Sequence, residues 1–245
     1  MEIGYRIIRP DDVGKQSLLF AQISLWRAAN WGVSDGEQAV KEAIEIAAAC
    51  KARGIKTVFH PLEYPLTNEH AENTLAVMRR LAAACDLGII IHDEGGAGGK
   101  RMSSDEEKTF EKNLRLISGL CPVSVENAFN SGDVTWFWER FVVPAPKAVS
   151  ITIDIGHLES ADIDSISFIR NIPEHLAKRI TFAHMHHKAE ERYGIKDHWP
   201  LVPGCREIEA LNVLRARRPD IGVIVELDAA DHGMGQSIEL LKKLL

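Results

Sequence analysis

Six short apolar runs in this chain each stop at an ionisable side chain: His60, His92, Glu126, Asp154, His184 and Glu226. They recur about thirty residues apart, the length of one strand–helix unit. Only the last interval is clearly longer, because the stretch TFAHMHHKAEERYGIKDHWPLVPG from Thr181 to Gly204 adds a loop there. Short apolar runs without an alternating polar face are strands of a parallel sheet covered on both sides. The segments between them have helical spacing. Asp35–Arg53 puts Ala39, Ala43, Ile46 and Ala47 on one face ahead of Gly54, and Ser103/Ser104 with acids behind them mark another helix start. Further helices are expected over Asn68–Cys85, Asp133–Phe141, Asp162–Leu176, Arg206–Arg217 and Gln236–Leu245.

Two earlier apolar runs, Ile3–Ile8 and Ser17–Trp26, bring the strand count to eight, the number of a (β/α)8 TIM barrel. The breaker cluster Arg9-Pro10-Asp11-Asp12 lies between them, so the first helical connection is shortened. A doubly wound open sheet is the rival if Ser17–Trp26 is helical, but no GxGxxG follows the first strand to support it. No linker or change of composition interrupts the pattern, which makes 1–245 a single α/β domain.

All strand C-termini of a parallel barrel open on one face, so the six strand-end side chains converge at one mouth. A lone histidine after a strand is usually a hydrogen-bonded structural residue; six ionisable groups in phase are not explained that way. Gathered carboxylates repel unless a cation neutralises them, and imidazoles with carboxylates suit a borderline divalent ion. A divalent metal is therefore expected, Zn2+ or Mn2+ ahead of Mg2+ or Co2+. Asp154-Ile-Gly-His157 adds an imidazole beside a strand-end acid, and Glu126-Asn127 adds an amide that orients the acid or holds a substrate hydroxyl. By spacing His184 is preferred to His186 as the ligand of its strand.

Composition narrows the partners. A net charge of −6 offers no general attraction to nucleic acid or anionic membrane, and no apolar run approaches a membrane span. Cys50, Cys85, Cys121 and Cys205 form no CxxC pair and read as reduced thiols, and the amino terminus lacks a signal-peptide pattern, so a cytoplasmic protein is expected. The mouth loops mix Glu63, Asp93, Glu94, Glu190 and Glu191 with Lys100, Arg101, Lys188 and Arg192, a balance that favours a small sugar or polyol over DNA. Trp136 and Trp138 are expected in the core or at a homo-oligomer interface.

Val125-Glu126-Asn127, Asp154-Ile-Gly-His157, Ala183-His184-Met185-His186 with the later Asp197-His198-Trp199-Pro200, and Val225-Glu226-Leu227-Asp228 occur in an order that resembles the xylose isomerase-like TIM-barrel superfamily. That superfamily includes sugar isomerases and epimerases and the endonuclease IV group. The likeness runs from about Ile55 to Glu226. Its epimerase branch implies one divalent ion held by Glu126, Asp154, His184 or His186, and Glu226. It also implies a metal-bound enediolate with Glu126 and Glu226 shuttling the proton, and His157 on a substrate oxygen. The endonuclease IV branch implies three zinc ions, with further ligands at His60, His92, His157 and His198 and a carboxylate near Asp197. Two departures stand out. Asp197 and His198 are adjacent where the family has Asp-x-His, and His187-Lys188 replace a carboxylate. The expected function is a metal-dependent sugar, sugar-phosphate or polyol isomerase or epimerase, with Asn127, Lys188 and Trp199 as substrate contacts. The alternatives are an endonuclease IV-like zinc phosphodiesterase (AP endonuclease family 2) and a non-catalytic metal-binding barrel.

Overall fold

Eight strands close a parallel barrel in sequence order. They are β1 (Glu2–Ile7), β2 (Phe20–Trp26), β3 (Lys56–Leu62), β4 (Gly88–His92), β5 (Val123–Glu126), β6 (Val149–Asp154), β7 (Ile180–Met185) and β8 (Gly222–Val225). The barrel shuts where β1 pairs with β8, Tyr5 standing opposite Val225. The computed structural model describes residues 1–26, 36–67, 70–94, 101–128, 133–188, 198–227 and 233–244. Ser17–Trp26 supplies β2, which removes the open sheet, and the first connection holds only a 3-10 turn, Pro10–Asp12. That turn is pinned by Asp12, whose Oδ2 accepts from the backbone N–H groups of Ile8 and Arg9 at 3.3 and 3.0 Å.

Side chains alternate along each strand, so every second residue enters the barrel. Phe20, Val58, Ile90 and Ile224 fill its lower interior as a separate apolar cluster. Gly4 is required there, since a Cβ at that position would collide with the Phe20 ring. Above them Ser124 and Thr152 share a hydrogen bond of 2.7 Å, and the strand-end ionisable residues follow. The opposite strand faces carry Ile89, Ile91, Val123, Val125, Ile151 and Ile153 against the helices. Burying each such side chain contributes about 1.5–3 kcal/mol.

The helical shell is α1 (Gly36–Ala52), α2 (Ala71–Ala82), α3 (Ser104–Ser118), α4 (Val134–Phe137), α5 (Ile155–Ser160), α6 (Ser165–Asn171), α7 (Glu174–Ala177), α8 (Arg206–Arg217) and α9 (Met234–Leu244). Ser103 and Glu106 form the capping box that starts α3. Two helical expectations need correction. The helix expected over Asp162–Leu176 is split into α6 and α7, because Pro173 cannot continue α6. The helix expected over Asp133–Phe141 is one short turn, α4, followed by a wide π turn at Trp138–Val142. The short α5, directly after β6, was not anticipated. Trp138 is fully buried, so it belongs to the core, its ring edge-on to Phe168, while Phe110, Phe137 and Phe141 pack edge-on and tilted against one another. All four cysteines are free thiols. Among the described residues no helix is long and apolar enough to cross a membrane.

Candidate metal centre

Parity and register deliver the upper layer. His92 stands opposite Glu126 across β4 and β5, and Asp154 opposite His184 across β6 and β7. Strand β7 ends at Met185, one residue beyond His184. Glu126, Asp154 and His184 are 0% exposed, His60 1% and Glu226 2%, so three carboxylates share a site closed to bulk solvent. His92 alone reaches the surface of the layer, its side chain 31% exposed.

The donors form two sets. His184 Nδ1 lies 2.9 Å from Glu126 Oε1, 2.7 Å from Glu226 Oε2 and 3.6 Å from Asp154 Oδ2. His60 Nε2 lies 3.1 Å from Glu126 Oε2 and 3.2 Å from His92 Nε2, and His92 Nε2 lies 3.7 Å from that same oxygen. Ligands about 2.1 Å from a shared tetrahedral ion stand about 3.4 Å from one another, so both sets have the spacing of a ligand shell. Glu126 belongs to both, one oxygen turned to each. Glu126 Oε2, Asp154 Oδ2 and Glu226 Oε2 are fully buried, approached by imidazole nitrogens of the same cluster but without a well-directed hydrogen bond, a costly state that a bound cation would relieve. The residues therefore fit divalent ions.

A third group is purely imidazole: the donor atoms of His157, His186 and His198 lie within 4.8 Å of one another. The His198 backbone N–H donates to His186 Nδ1 at 2.9 Å, which requires a lone pair there. Neutral His186 then carries its proton on Nε2, 3.0 Å from Asp154 Oδ1. Its ring supports Asp154 from behind. His157 donates from Nδ1 to the Asn127 carbonyl at 3.1 Å, leaving its Nε2 as the lone-pair nitrogen. His157 and His198 are thus the candidate ligands of this group.

Electrostatics follow from crowding. Burial pushes the Glu126 carboxyl up to about 8, with Glu226 and Asp154 adding to the rise against the opposing pull of His184. Burial disfavours a charged His184, but Glu126 and Glu226 outweigh it and hold the imidazole well above its ordinary value. Burial also works against an ionised Glu226, yet His184 and Arg6 keep it well below the usual carboxylate range. Burial takes His157 down to about 4, so at neutral pH its imidazole is uncharged, as ligation requires.

No protein-family model matches the sequence, and no curated protein matches it. Solved structures do match. A xylose isomerase domain protein from Planctomyces limnophilus superposes with a TM-score of 0.66 at 15% identity, over 99% of this chain and 96% of its own. The IolI protein with a binding zinc atom gives 0.68 at 13% identity, over 99% and 96%. Its fold is that of the xylose isomerase-like TIM barrels. D-psicose 3-epimerase, in the presence of D-fructose, gives 0.55 at 12% identity, over 98% of this chain and 90% of the other. At such identities the likeness is one of fold.

Within this xylose isomerase-like barrel, two of the three side chains expected on substrate, Asn127 and Lys188, are placed differently. Asn127 spends both ends of its amide on Asp154, donating to its carbonyl at 2.9 Å and accepting from its N–H at 2.8 Å, so it orients that acid. Lys188 turns its ammonium to the Glu159 carbonyl at 2.7 Å and to Asp162 at 2.5 Å, away from the donor sets. The third, Trp199, pairs its backbone with His187. Asp93, expected on a mouth loop, is buried and accepts the Ala128 N–H at 3.1 Å. Lys100, Glu190, Glu191, Arg192 and Asp197 lie outside the described residues. Sequence reasoning missed Arg6, Gln22 and Ser24. Arg6 Nε is 3.5 Å from Glu226 Oε1 and donates to Ser24 Oγ at 3.0 Å, its guanidinium lying over Trp26. Gln22 Nε2 is 3.1 Å from both Glu226 Oε1 and His60 Nδ1. The available signal was polar side chains interrupting apolar runs, Arg6 in GYRII and Gln22 in FAQIS.

Proposed function

We propose that this barrel is a divalent-metal hydrolase of phosphate esters, acting on a small polar substrate at a centre of at least two ions. The observation that carries this reading is Glu126, whose Oε1 faces His184 at 2.9 Å while its Oε2 faces His60 at 3.1 Å. A carboxylate split between two donor sets could serve a pair of ions, as in two-metal phosphoryl enzymes. Glu226, Asp154 and His184 would complete one ligand set, and His60 and His92 the other. Ions held there would supply Lewis-acid charge and activate a water. Asn127 and His186 hold Asp154 in place, and Arg6 and Gln22 hold Glu226, so the donors are preorganised. Beside His92, Pro61, Tyr64, Pro65 and Ile91 line a cavity of about 350 Å³, a volume suited to a small molecule. Glu63 and Glu94 stand at its rim, and the described mouth cations are engaged, Arg101 with Asp133 and Lys188 with Asp162. These features favour a phosphorylated sugar or polyol over a nucleic-acid backbone.

The second reading is a single-ion sugar isomerase or epimerase. It is favoured by Glu126 and Glu226, which flank His184 Nδ1 at 2.9 and 2.7 Å as a pair able to take and return a proton beside a carbonyl. Metal content of the barrel mouth, counted as the ions lost when its donors are replaced, separates the two. Protein purified without added metal is expected to hold at least two ions per chain and to cleave a chromogenic phosphate ester. His60→Ala and His92→Ala should each lose an ion and hydrolysis together. A single ion in a fully active chain, with turnover of a ketose surviving His92→Ala, overturns the hydrolase and leaves the isomerase. Glu126→Gln and Glu226→Gln abolish activity under either reading, with loss of about a hundredfold or more.

A further inference from the structure

Outside the barrel mouth, a fourth group of metal-type donors lies where the long loop meets α8. His184 and His186 face the barrel axis, and alternation turns His187 the other way, towards α8. There His187 Nδ1 sits 3.0 and 3.1 Å from the two oxygens of Glu207. Cys205 completes the group, the ligand atoms of all three lying within 4.8 Å of one another. None of these residues belongs to the central donor sets.

The chemistry of the three is selective. A thiol, an imidazole and a carboxylate together suit a borderline ion such as Zn2+ far better than Mg2+ or Ca2+. Cys205 is the N-cap of α8 and Glu207 lies in its first turn, where the helix dipole favours thiolate and carboxylate alike. Glu207 is 1% exposed and Cys205 7%, so an ion would bind them out of bulk water. The Lys188 N–H donates to Glu207 Oε1 at 2.9 Å, which fixes the carboxylate and leaves Oε2 for an ion. His187, with a side chain 28% exposed, leaves one side open for a solvent ligand.

The geometry points to a zinc-type site formed by His187, Cys205 and Glu207 that clamps the two ends of the loop carrying His198. The loop is already drawn together at this point, His187 and Trp199 exchanging backbone hydrogen bonds of 2.8 and 3.2 Å. An ion held by His187 on the β7 side and by Cys205 and Glu207 on the α8 side would lock that closure and with it the position of His198. The site stands on donors of its own and does not depend on the reading of the central sets.

Cobalt separates this site from the central ones, whose donors are all nitrogen and oxygen. The full-length protein, stripped of metal and titrated with Co2+, is expected to develop the near-ultraviolet thiolate-to-cobalt charge-transfer band, and Zn2+ should displace it. Cys205→Ser should abolish the band, while Cys85→Ser and Cys121→Ser should retain it. Should circular dichroism show Cys205→Ser unfolded, Glu207→Gln and His187→Gln decide: each keeps the thiol and is expected to weaken cobalt binding, read from the same band, about tenfold or more. Absence of the band at saturating Co2+, its persistence in folded Cys205→Ser, or unchanged affinity in both conservative variants overturns the site.

Discussion

Glu126 and His184 are the residues whose protons the central ligand assignment puts at stake. Without an ion, Glu126 at about 8 is largely protonated at neutral pH, and His184, held well above its ordinary value by Glu126 and Glu226, is protonated too. Asp154 and Glu226 sit well below the usual carboxylate range and are already ionised. Ligation by Glu126 and His184 must therefore expel about two protons near pH 7. Because both groups are shifted upward, apparent metal affinity should rise with pH, and the Glu126 part of that rise should end above about 8, where Glu126 deprotonates unaided, while the His184 part persists. Calorimetric titration in buffers of different protonation enthalpy measures the release directly. A value near zero at pH 7 would sink the assignment of these two residues as ligands. At this scale the sequence was informative about identity but not partnership. His184 over His186 was preferred by spacing alone, and the physical distinction is a tautomer: the His198 N–H, twelve residues away, puts the His186 proton on the nitrogen facing Asp154.

Among the elements, α5 shows what local patterning conceals. It starts on the last residue of β6, with Asp154 as its N-cap accepting the His157 N–H at 2.7 Å. One side chain thus caps a helix with Oδ1 while Oδ2 faces His184. The helix is too short to show a hydrophobic period, which is why no helix is expected there from the sequence. It also needs Gly156, where a Cβ would collide with the His186 ring. Gly156→Ala should cost about 1–3 kcal/mol in urea unfolding through overpacking, and weaken metal binding by displacing Asp154. Full stability with full metal affinity would show that the His186 ring does not bear on this turn. Longer elements were legible for the opposite reason. The helix expected over Arg206–Arg217 is α8 with the same bounds, and α3 begins at the capping box read from Ser103. Pro173 was visible in the sequence, but the periodic pattern on either side of it was allowed to run through.

For the whole molecule, the centre is a trade between stability and function. Three carboxylates closed into one buried space repel one another, and Arg6 and His184 answer only part of their charge. Divalent ions supply the rest, so chelation should lower the melting temperature. An ion at a hundred times its Kd contributes about 2.7 kcal/mol. That corresponds to about 5–10 °C for a domain of this size. Scanning calorimetry with and without chelator, and again after adding back Zn2+ or Mn2+, measures the shift. An unchanged melting temperature would mean the carboxylates are satisfied without metal. By itself the sequence determined the eight strands, their order and the ionisable residues that end them, because strand length, parity and breakers are local properties written every few residues. Only the tertiary structure decided which oxygen of Glu126 faces His184 and which faces His60, and that Arg6 and Gln22 reach Glu226. Those pairings depend on how the strands are staggered when β1 closes on β8, and closure brings together residues that lie far apart in the chain.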